Sequence, residues 1–202
     1  MTPSGARFLL LLCLVIVVSA CAVREPRPEG AWLEEREAWF EMYSLWEVSG
    51  RIALSDGERG GQLSFDWKAQ GDQHDVRLRT LAGGKQWRLL FNPHGAVLEG
   101  SDVGLMRGPN PDALVAEAVG WPIPVTRLAW WLRGLSSPAG ERVVFASDGT
   151  METIAEPPWT LEYQRFTQPG QGPLMPVRMQ ADSPPYQVRL VMRNWRWSDP
   201  GQ

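Results

Sequence analysis

Apolar and polar residues alternate along most of this chain, and this period of two constrains the fold more than any other feature of its 202 residues. The alternation runs through residues 46–54 and returns at 63–67, 76–80 and 87–91. Turn pairs separate these runs, namely Asp56-Gly57, Gly71-Asp72 and Gly83-Gly84. Such patterning is typical of antiparallel strands that bury one face. Further strands are expected near residues 143–145, 151–155, 159–166, 175–181 and 186–197.

Three segments have helical spacing instead. Residues 31–46 predict an amphipathic helix that includes Trp46 and turns Arg36 and its acidic neighbours away from the core. Residues 111–119 and 125–132 predict two shorter helices. The expected fold class is therefore α+β, a curved antiparallel half-barrel-like sheet with helices covering the concave face. The pattern leaves open whether these helices are a permanent plug or a movable lid.

The first twenty residues form a separate segment, in which Arg7 precedes an unbroken apolar run at residues 8–18. A membrane-spanning helix needs about 20 apolar residues, so this shorter run is typical of a cleaved secretory signal. It ends in Val18-Ser19-Ala20-Cys21, which resembles the bacterial lipobox and predicts lipid attachment at Cys21. The alternative is an ordinary signal followed by an incidental cysteine.

The expected organisation is a signal at residues 1–20, a lipidated cysteine and flexible tether at 21–30, and a single folded domain at 31–202. In sorted bacterial lipoproteins an acidic residue directly after the cysteine commonly retains the protein at the inner membrane, and here that residue is Ala22. The chain is therefore expected at the outer membrane of a Gram-negative bacterium, lipid-anchored and facing the periplasm.

Composition argues against several classes of function. Arg7 is the only charged side chain of the signal, so loss of the signal changes the formal charge from −3 to −4. No basic stripe stands out in the sequence either. Nucleic acid is therefore not an expected partner. His74 and His94 lie beside turn residues and are expected to be solvated. Nucleophile, phosphate-loop and zinc-helix motifs are missing from the sequence, so no enzyme activity, cofactor or metal site is expected. The 11 tryptophans indicate a large apolar interior or, alternatively, a glycan-binding surface.

One motif in the second half of the chain resembles a known family. The signature Gly-x-Pro-Ile-Pro-x-x-x-Leu-x-x-Trp-x-x-Gly of the LolB family of outer-membrane lipoprotein receptors is matched by Gly120, Pro122, Ile123, Pro124, Leu128, Trp131 and Gly134. Shorter segments agree in order, namely Ser49-Gly50-Arg51, Phe65-Asp66-Trp67, Trp159-Thr160-Leu161-Glu162-Tyr163, Leu174-Met175-Pro176 and residues 189–195, so that the resemblance spans residues 32–197. It implies a half-open sheet with a helical lid and a hydrophobic cleft. The implied role is to accept lipoproteins from the periplasmic carrier LolA and insert them into the outer membrane.

The resemblance also implies roles for individual residues. Acyl-chain contacts are expected from Phe65, Trp67, Trp131 and Trp159 and, subject to strand register, from Leu78, Leu89 and Met192. The lid connection is expected to be shaped by Gly120, Pro122 and Pro124, whereas Trp195 is expected to be structural. The protein is expected to be a monomer. The competing interpretations are a tryptophan-rich glycan-binding module and a structural subunit of an outer-membrane assembly complex.

Membrane insertion in this family depends on an apolar residue at the tip of the loop after the third strand. Here that loop is residues 80–85, and it departs from the expected Pro-Leu-Gly pattern. Different registers place Gly83, Ala82 or Leu81 at the apolar position. Leu81 is favoured, because the adjoining glycines let the loop protrude without packing. The alternative is that Leu81 ends the strand and points into the core.

Overall fold

The computed structural model describes residues 30–198. Its helices are α1 (Ala31–Met42), α2 (Pro111–Val119) and α3 (Val125–Trp131). Its strands are β1 (Leu45–Ser55), β2 (Gly60–Gln70), β3 (Gln73–Thr80), β4 (Gln86–Asn92), β5 (Gly95–Gly100), β6 (Gly104–Gly108), β7 (Arg142–Phe145), β8 (Met151–Glu156), β9 (Trp159–Thr167), β10 (Met175–Ser183) and β11 (Tyr186–Ser198). The expected signal, Cys21 and nearly all of the tether lie outside the described residues.

The eleven described strands form one antiparallel sheet in the order β6-β5-β4-β3-β2-β1-β11-β10-β9-β8-β7. Neighbours in the sheet are also neighbours in sequence except for β1 and β11, where Ile52 pairs with Leu190. The first and last strands therefore meet in the middle, and β6 and β7 remain as open edges. The sheet is an unclosed barrel, and the expected α+β fold class is confirmed.

One face of the sheet is apolar and packs against the helices. In β1 the buried side chains are Trp46, Val48, Ile52 and Leu54, and the side chains between them are more exposed. This alternation is what a strand needs to place one face in a core. All 11 tryptophans belong to one continuous core or pack against it. An exposed tryptophan surface for glycan stacking therefore has no support in this fold.

Capping residues in the sequence explain where α2 begins and ends. The Asn110 side chain accepts a hydrogen bond from the Ala113 backbone N–H (3.2 Å), and Pro111 occupies the first turn of α2. Gly120, with φ of +80°, ends this helix in the left-handed conformation that favours glycine.

Within residues 30–198, no helix is long and apolar enough to cross a membrane.

The predicted boundaries of two regions are wrong. The first helix ends at Met42 and not at Trp46, because Trp46 pairs with Trp197 between β1 and β11. The predicted strands also omit β5 and β6, which extend the meander to its edge. Both differences arise because sheet pairing decides where a segment joins the fold, whereas local spacing alone fits either state.

Arg36 contradicts its expected position on the polar side of α1. It is fully buried, with its guanidinium over the Trp32 ring at 3.1 Å from the ring centroid. One guanidinium nitrogen donates to the Leu174 carbonyl, which lies outside α1. The buried stripe of α1 is therefore Trp32, Arg36 and Phe40, at intervals of four residues.

Candidate lipid-binding cleft

The inner face of β1–β4 and β11 forms what we call the floor. Paired residues along one row across the sheet are Met192, Gly50, Phe65, Leu78 and Trp87. In the adjacent row, Trp67 and Leu89 lie on either side of Val76. The structure therefore brings together the five expected acyl-chain residues of these strands, which are Phe65, Trp67, Leu78, Leu89 and Met192, and all five are buried.

Gly50 determines how closely Phe65 packs on the floor. A Cβ atom built on Gly50 would lie 2.6 Å from the Phe65 ring and 2.2 Å from the Val191 carbonyl oxygen. No side chain fits there, so the Phe65 ring lies directly against the β1 backbone. Close packing of Phe65 therefore explains why glycine occupies the central position of the Ser49-Gly50-Arg51 segment.

The segment at residues 123–132, which we call the lid, contains α3 and covers the floor. Its underside is formed by Ile123, Val125, Leu128 and Leu132, all nearly or fully buried. With Phe65, Trp67 and Leu78 of the floor they enclose a cavity of about 10 Å³, room for about one water molecule. The structure is therefore a closed state in which the lid occupies the apolar space.

Sequence reasoning missed these lid residues. Val125, Leu128 and Leu132 are spaced as i, i+3 and i+7, so a helical projection of the signature would have placed them on one face. The seven-residue helix is short enough that this pattern carries little weight by itself. Its apolar face becomes evident once the floor is known.

Trp131 and Trp159, the remaining expected acyl-chain residues, lie together beside the floor residues and do not line the small cavity. Their rings are 6.4 Å apart between centroids and meet edge to face at 65°, and Trp131 has no exposed surface. Trp131 Nε1 has no hydrogen-bond partner among the described residues. An unpaired buried N–H is costly, and it is available to a carbonyl acceptor that enters the interior.

The N-terminal end of the lid is held by polar contacts to α2 and to the β8–β9 turn. The Asp112 carboxylate accepts hydrogen bonds from the Thr126 backbone N–H (2.9 Å) and hydroxyl (2.8 Å), and so caps α3 from the neighbouring helix. A guanidinium nitrogen of Arg127 donates to the Pro157 carbonyl at 2.9 Å. These contacts lie outside the apolar underside of the lid.

The C-terminal end is held by three buried contacts. The Tyr163 hydroxyl donates to the Trp131 carbonyl at 2.7 Å, and burial raises the pKa of this hydroxyl. Trp32 Nε1 donates to the Gly134 carbonyl at 2.9 Å. The buried Glu156 carboxylate accepts from the Ser137 backbone N–H and hydroxyl at 2.7 and 2.5 Å. Glu156 also forms an ion pair with Arg127 at 3.9 Å, so it contacts both ends of the lid, whereas Tyr163 and Trp32 contact only the C-terminal side.

The connection before the lid contains the three expected residues. Gly120 ends α2, Pro122 is half-buried and Pro124 is buried directly before α3. The proline rings restrict the backbone of the residues before them to extended conformations. The connection therefore breaks the helical path between α2 and α3 and lets Ile123 reach the interior.

His74 is not the solvated loop residue that the sequence predicts. It lies in β3, stacks on Phe91 at 4.5 Å between ring centroids, and accepts a hydrogen bond from Trp67 Nε1 at 3.1 Å. Burial and the nearby Arg133 charge lower its pKa from 6.5 to about 4. His74 is therefore neutral near pH 7 and acts as part of the aromatic packing at one end of the floor. His94 is exposed as expected.

The loop after β3 projects from the other end of the floor. Leu81 is 47% exposed, and Ala82 and Gly83 are also exposed. The loop is closed by Thr80 and Lys85, where the Thr80 N–H donates to the Lys85 carbonyl at 3.0 Å. The alternative that Leu81 points into the core is therefore wrong.

Trp195 is buried against Trp46 and donates to the Pro176 carbonyl, so it packs in the core as expected.

Comparisons with known proteins agree with this architecture. The family model described as outer membrane lipoprotein LolB matches residues 44–195. Outer-membrane lipoprotein LolB of Alkalilimnicola ehrlichii is 33% identical over 194 residues, which is 94% of this chain and 96% of that one. The LolB of Stutzerimonas stutzeri is 29% identical over 196 residues, or 93% and 94% of the two chains.

Solved structures show the same fold at low identity. A LolA superfamily protein from Nitrosomonas europaea superposes with a TM-score of 0.50 at 10% identity, covering 83% of this chain and 92% of that one. A putative outer membrane lipoprotein-sorting protein domain from Vibrio parahaemolyticus gives 0.52 at 10% identity, covering 84% and 92%. The matched family consists of lipoproteins and not of enzymes. The chain belongs to the LolB family of outer-membrane lipoproteins.

Proposed function

We propose that this protein is an outer-membrane receptor, anchored through lipidated Cys21 and acting as a monomer, that accepts lipoproteins from the carrier LolA and inserts them into the membrane. The observation that carries this proposal is the apolar floor covered by a short, separately attached helix, with only about 10 Å³ left between them. Displacing that helix converts a filled interior into an apolar cleft without taking the sheet apart.

The energetics of such an exchange are favourable. Exposing an acyl chain of some 16 carbons to water would cost about 12 kcal/mol gross, at about 0.8 kcal/mol per methylene, and direct transfer from cleft to cleft avoids this cost. In the closed state the floor is covered by Val125, Leu128 and Leu132, and in the loaded state acyl chains take their place. Apolar surface stays covered in both states, so opening the lid costs far less than exposing the floor to water. An affinity difference of about 1.4 kcal/mol between carrier and receptor then gives a tenfold bias in transfer.

The attachments of the lid suggest which end moves. Polar contacts to α2 and the β8–β9 turn hold the N-terminal end, whereas Tyr163 and Trp32 hold the C-terminal side through buried hydrogen bonds. We propose that the lid swings about its C-terminal side near Gly134, whose φ is +73°. Breaking the Asp112–Thr126 contacts would be the first step of opening.

Delivery to the bilayer requires a second element, and the loop after β3 fits it. Leu81 presents an apolar side chain to solvent at the end of a hairpin, and Gly83 and Gly84 follow with positive φ. We propose that Leu81 enters the membrane boundary when acyl chains leave the cleft. Ala82 and Gly83 would approach the bilayer with it.

Photo-crosslinking tests the cleft directly. A photoreactive phenylalanine replaces Phe65 or Trp131 in a soluble Cys21→Ala protein, which is then mixed with LolA carrying a lipoprotein. Both positions should form adducts with acyl chains. The matched control is Leu105, which is 53% exposed on β6, and it should form none. Adducts of similar yield from all three positions, or transfer with adducts only from Leu105, would refute the proposed cleft.

A further inference from the structure

The outer face of the sheet carries four arginines around one valine at the junction of the first and last strands. Val191 of β11 pairs with Arg51 of β1 on one side and with Arg178 of β10 on the other. Arg189 and Arg193 lie two residues away from Val191 along β11 and face the same way. All four, which we call the arginine cluster, are exposed.

The cluster is electrostatically unbalanced. Among the described residues, none of its four arginines forms an ion pair, and Arg189 donates only to the Gln180 side-chain oxygen at 2.9 Å. On the neighbouring strands β3 and β4, by contrast, Arg79 contacts Asp66 and Arg88 contacts Asp75. A chain with a formal charge of −3 therefore concentrates positive charge at one place. The sequence shows no basic stripe because the four arginines are spread over β1, β10 and β11, and β1 is distant in sequence from the other two strands.

The surface at the cluster is recessed and rich in hydrogen-bond donors. A depression of about 520 Å³ is lined by Arg51, Arg178 and Arg189 and by the side chains of Gln62, Gln164 and Gln180. Guanidinium groups bind phosphate oxygens with two parallel N–H donors, a geometry that an ammonium group lacks. The recess therefore fits phosphate-bearing groups.

We propose that the arginine cluster binds the anionic phospholipid headgroups of the membrane surface to which the protein is tethered. This rests on the proposed function, which places the lipid anchor at Cys21. Ten residues at 21–30 span at most about 35 Å, so the anchor keeps the start of the domain within that distance of the membrane surface. An acidic protein fits less well, because interface centres are enriched in aromatic residues and Val191 is the apolar residue at the centre of this patch.

Vesicle binding tests the inference. Soluble Cys21→Ala protein is mixed with vesicles of phosphatidylcholine alone or with phosphatidylglycerol added, and the bound fraction is measured by co-sedimentation. We expect preferential binding to the anionic vesicles. Removing charge with Arg51→Gln and Arg178→Gln together should lower that binding about 30-fold, at about fivefold for each arginine. Binding should also fall steeply in about 1 M salt, where the screening length is about 3 Å.

The matched control carries Arg107→Gln and Arg142→Gln, which remove the same charge from exposed positions on the two edge strands. It should bind anionic vesicles nearly as the parent does. Equal binding to neutral and anionic vesicles, or equal losses in both double variants, would overturn the inference. Acceptance of lipoprotein from LolA is measured in parallel. If the soluble Cys21→Ala protein accepts no lipoprotein, that result counts against the proposed function and not against the arginine cluster.

Discussion

The floor and the lid cover the same apolar interior but are held in different ways. The floor belongs to an eleven-stranded sheet whose central strands pair along most of their length, whereas the lid contains one helix of seven residues. The polar attachments of the lid lie at the two ends of the lid, outside its apolar underside. The difference indicates that lid and floor can separate while the sheet remains folded. Changes to the floor should therefore cost more stability than changes to the attachments of the lid.

Truncating the floor should cost the most. Trp67→Ala removes a buried indole that lines the small cavity and donates to His74, and such a change typically costs about 3–5 kcal/mol. Urea denaturation should show this loss in the free energy of unfolding. A loss below about 1 kcal/mol would mean that the floor is as loosely held as the lid.

Acid should weaken the floor next. The folded-state pKa of His74 is lowered to about 4 from an unfolded value near 6.5, so between these pH values the unfolded chain binds a proton that the folded chain excludes. Stability should therefore be complete above pH 6.5 and fall by about 3 kcal/mol as the pH approaches 4. Arg133 opposes protonation of His74, and Asp72 favours it.

Matched histidine variants isolate this contribution. His74→Gln should flatten the pH dependence of the unfolding free energy between pH 6.5 and 4, whereas His94→Gln, at an exposed loop position, should leave it unchanged. If the unfolding free energy of both variants keeps the same slope against pH, the acid sensitivity does not arise from His74.

The lid attachment should have a smaller effect on stability and a larger one on opening. Asp112→Ala removes the cap from Thr126 and should cost about 1 kcal/mol. Because this contact holds the end proposed to move, transfer from LolA should become faster. Glu117→Ala, an exposed change of the same charge on α2, serves as the control. Slower transfer in Asp112→Ala would place the moving end elsewhere.

The tip residue should affect stability least. Leu81→Glu lies at an exposed loop position, so its effect on the unfolding free energy should stay within about 0.5 kcal/mol. Acceptance from LolA should persist while delivery to liposomes falls, because a charge resists entry into the apolar boundary. Leu105→Glu changes an equally exposed leucine on β6 and should deliver normally. Unchanged delivery in folded Leu81→Glu would exclude Leu81 as the tip.

Strand periodicity predicts the floor well, because alternation fixes which side chains share a face. Alternation places Phe65 and Trp67 on one face of β2, whereas the position of Leu78 opposite Phe65 depends on the register of β2 and β3. Features that depend on pairing between distant segments were not predictable. Trp46 fits both a helix and a strand until β11 pairs with β1, and Arg36 gains its buried partners only from the tertiary fold.

The lid and the arginine cluster illustrate the same limit. Leu128 is part of the recognised signature, yet its contact with the floor requires the crossing of α3 over the sheet. Arg51 is far from Arg178 and Arg189 in sequence and becomes their neighbour only because β1 pairs with β11. His74 likewise follows a turn in sequence and is buried by Phe91 of the next strand.

Hydrogen exchange with and without bound lipoprotein tests most directly whether the lid leaves the floor. In the free protein, the Leu128 and Leu132 amides donate within the lid at 2.8 and 2.9 Å, and the β2 amides are protected by pairing with β1 and β3. Because a helix of seven residues is only marginally stable in water once it leaves the floor, we expect exchange on loading to accelerate at residues 125–132 while residues 63–67 stay protected. Unchanged protection of the lid in the loaded protein would contradict a movable lid and would indicate a permanently plugged core.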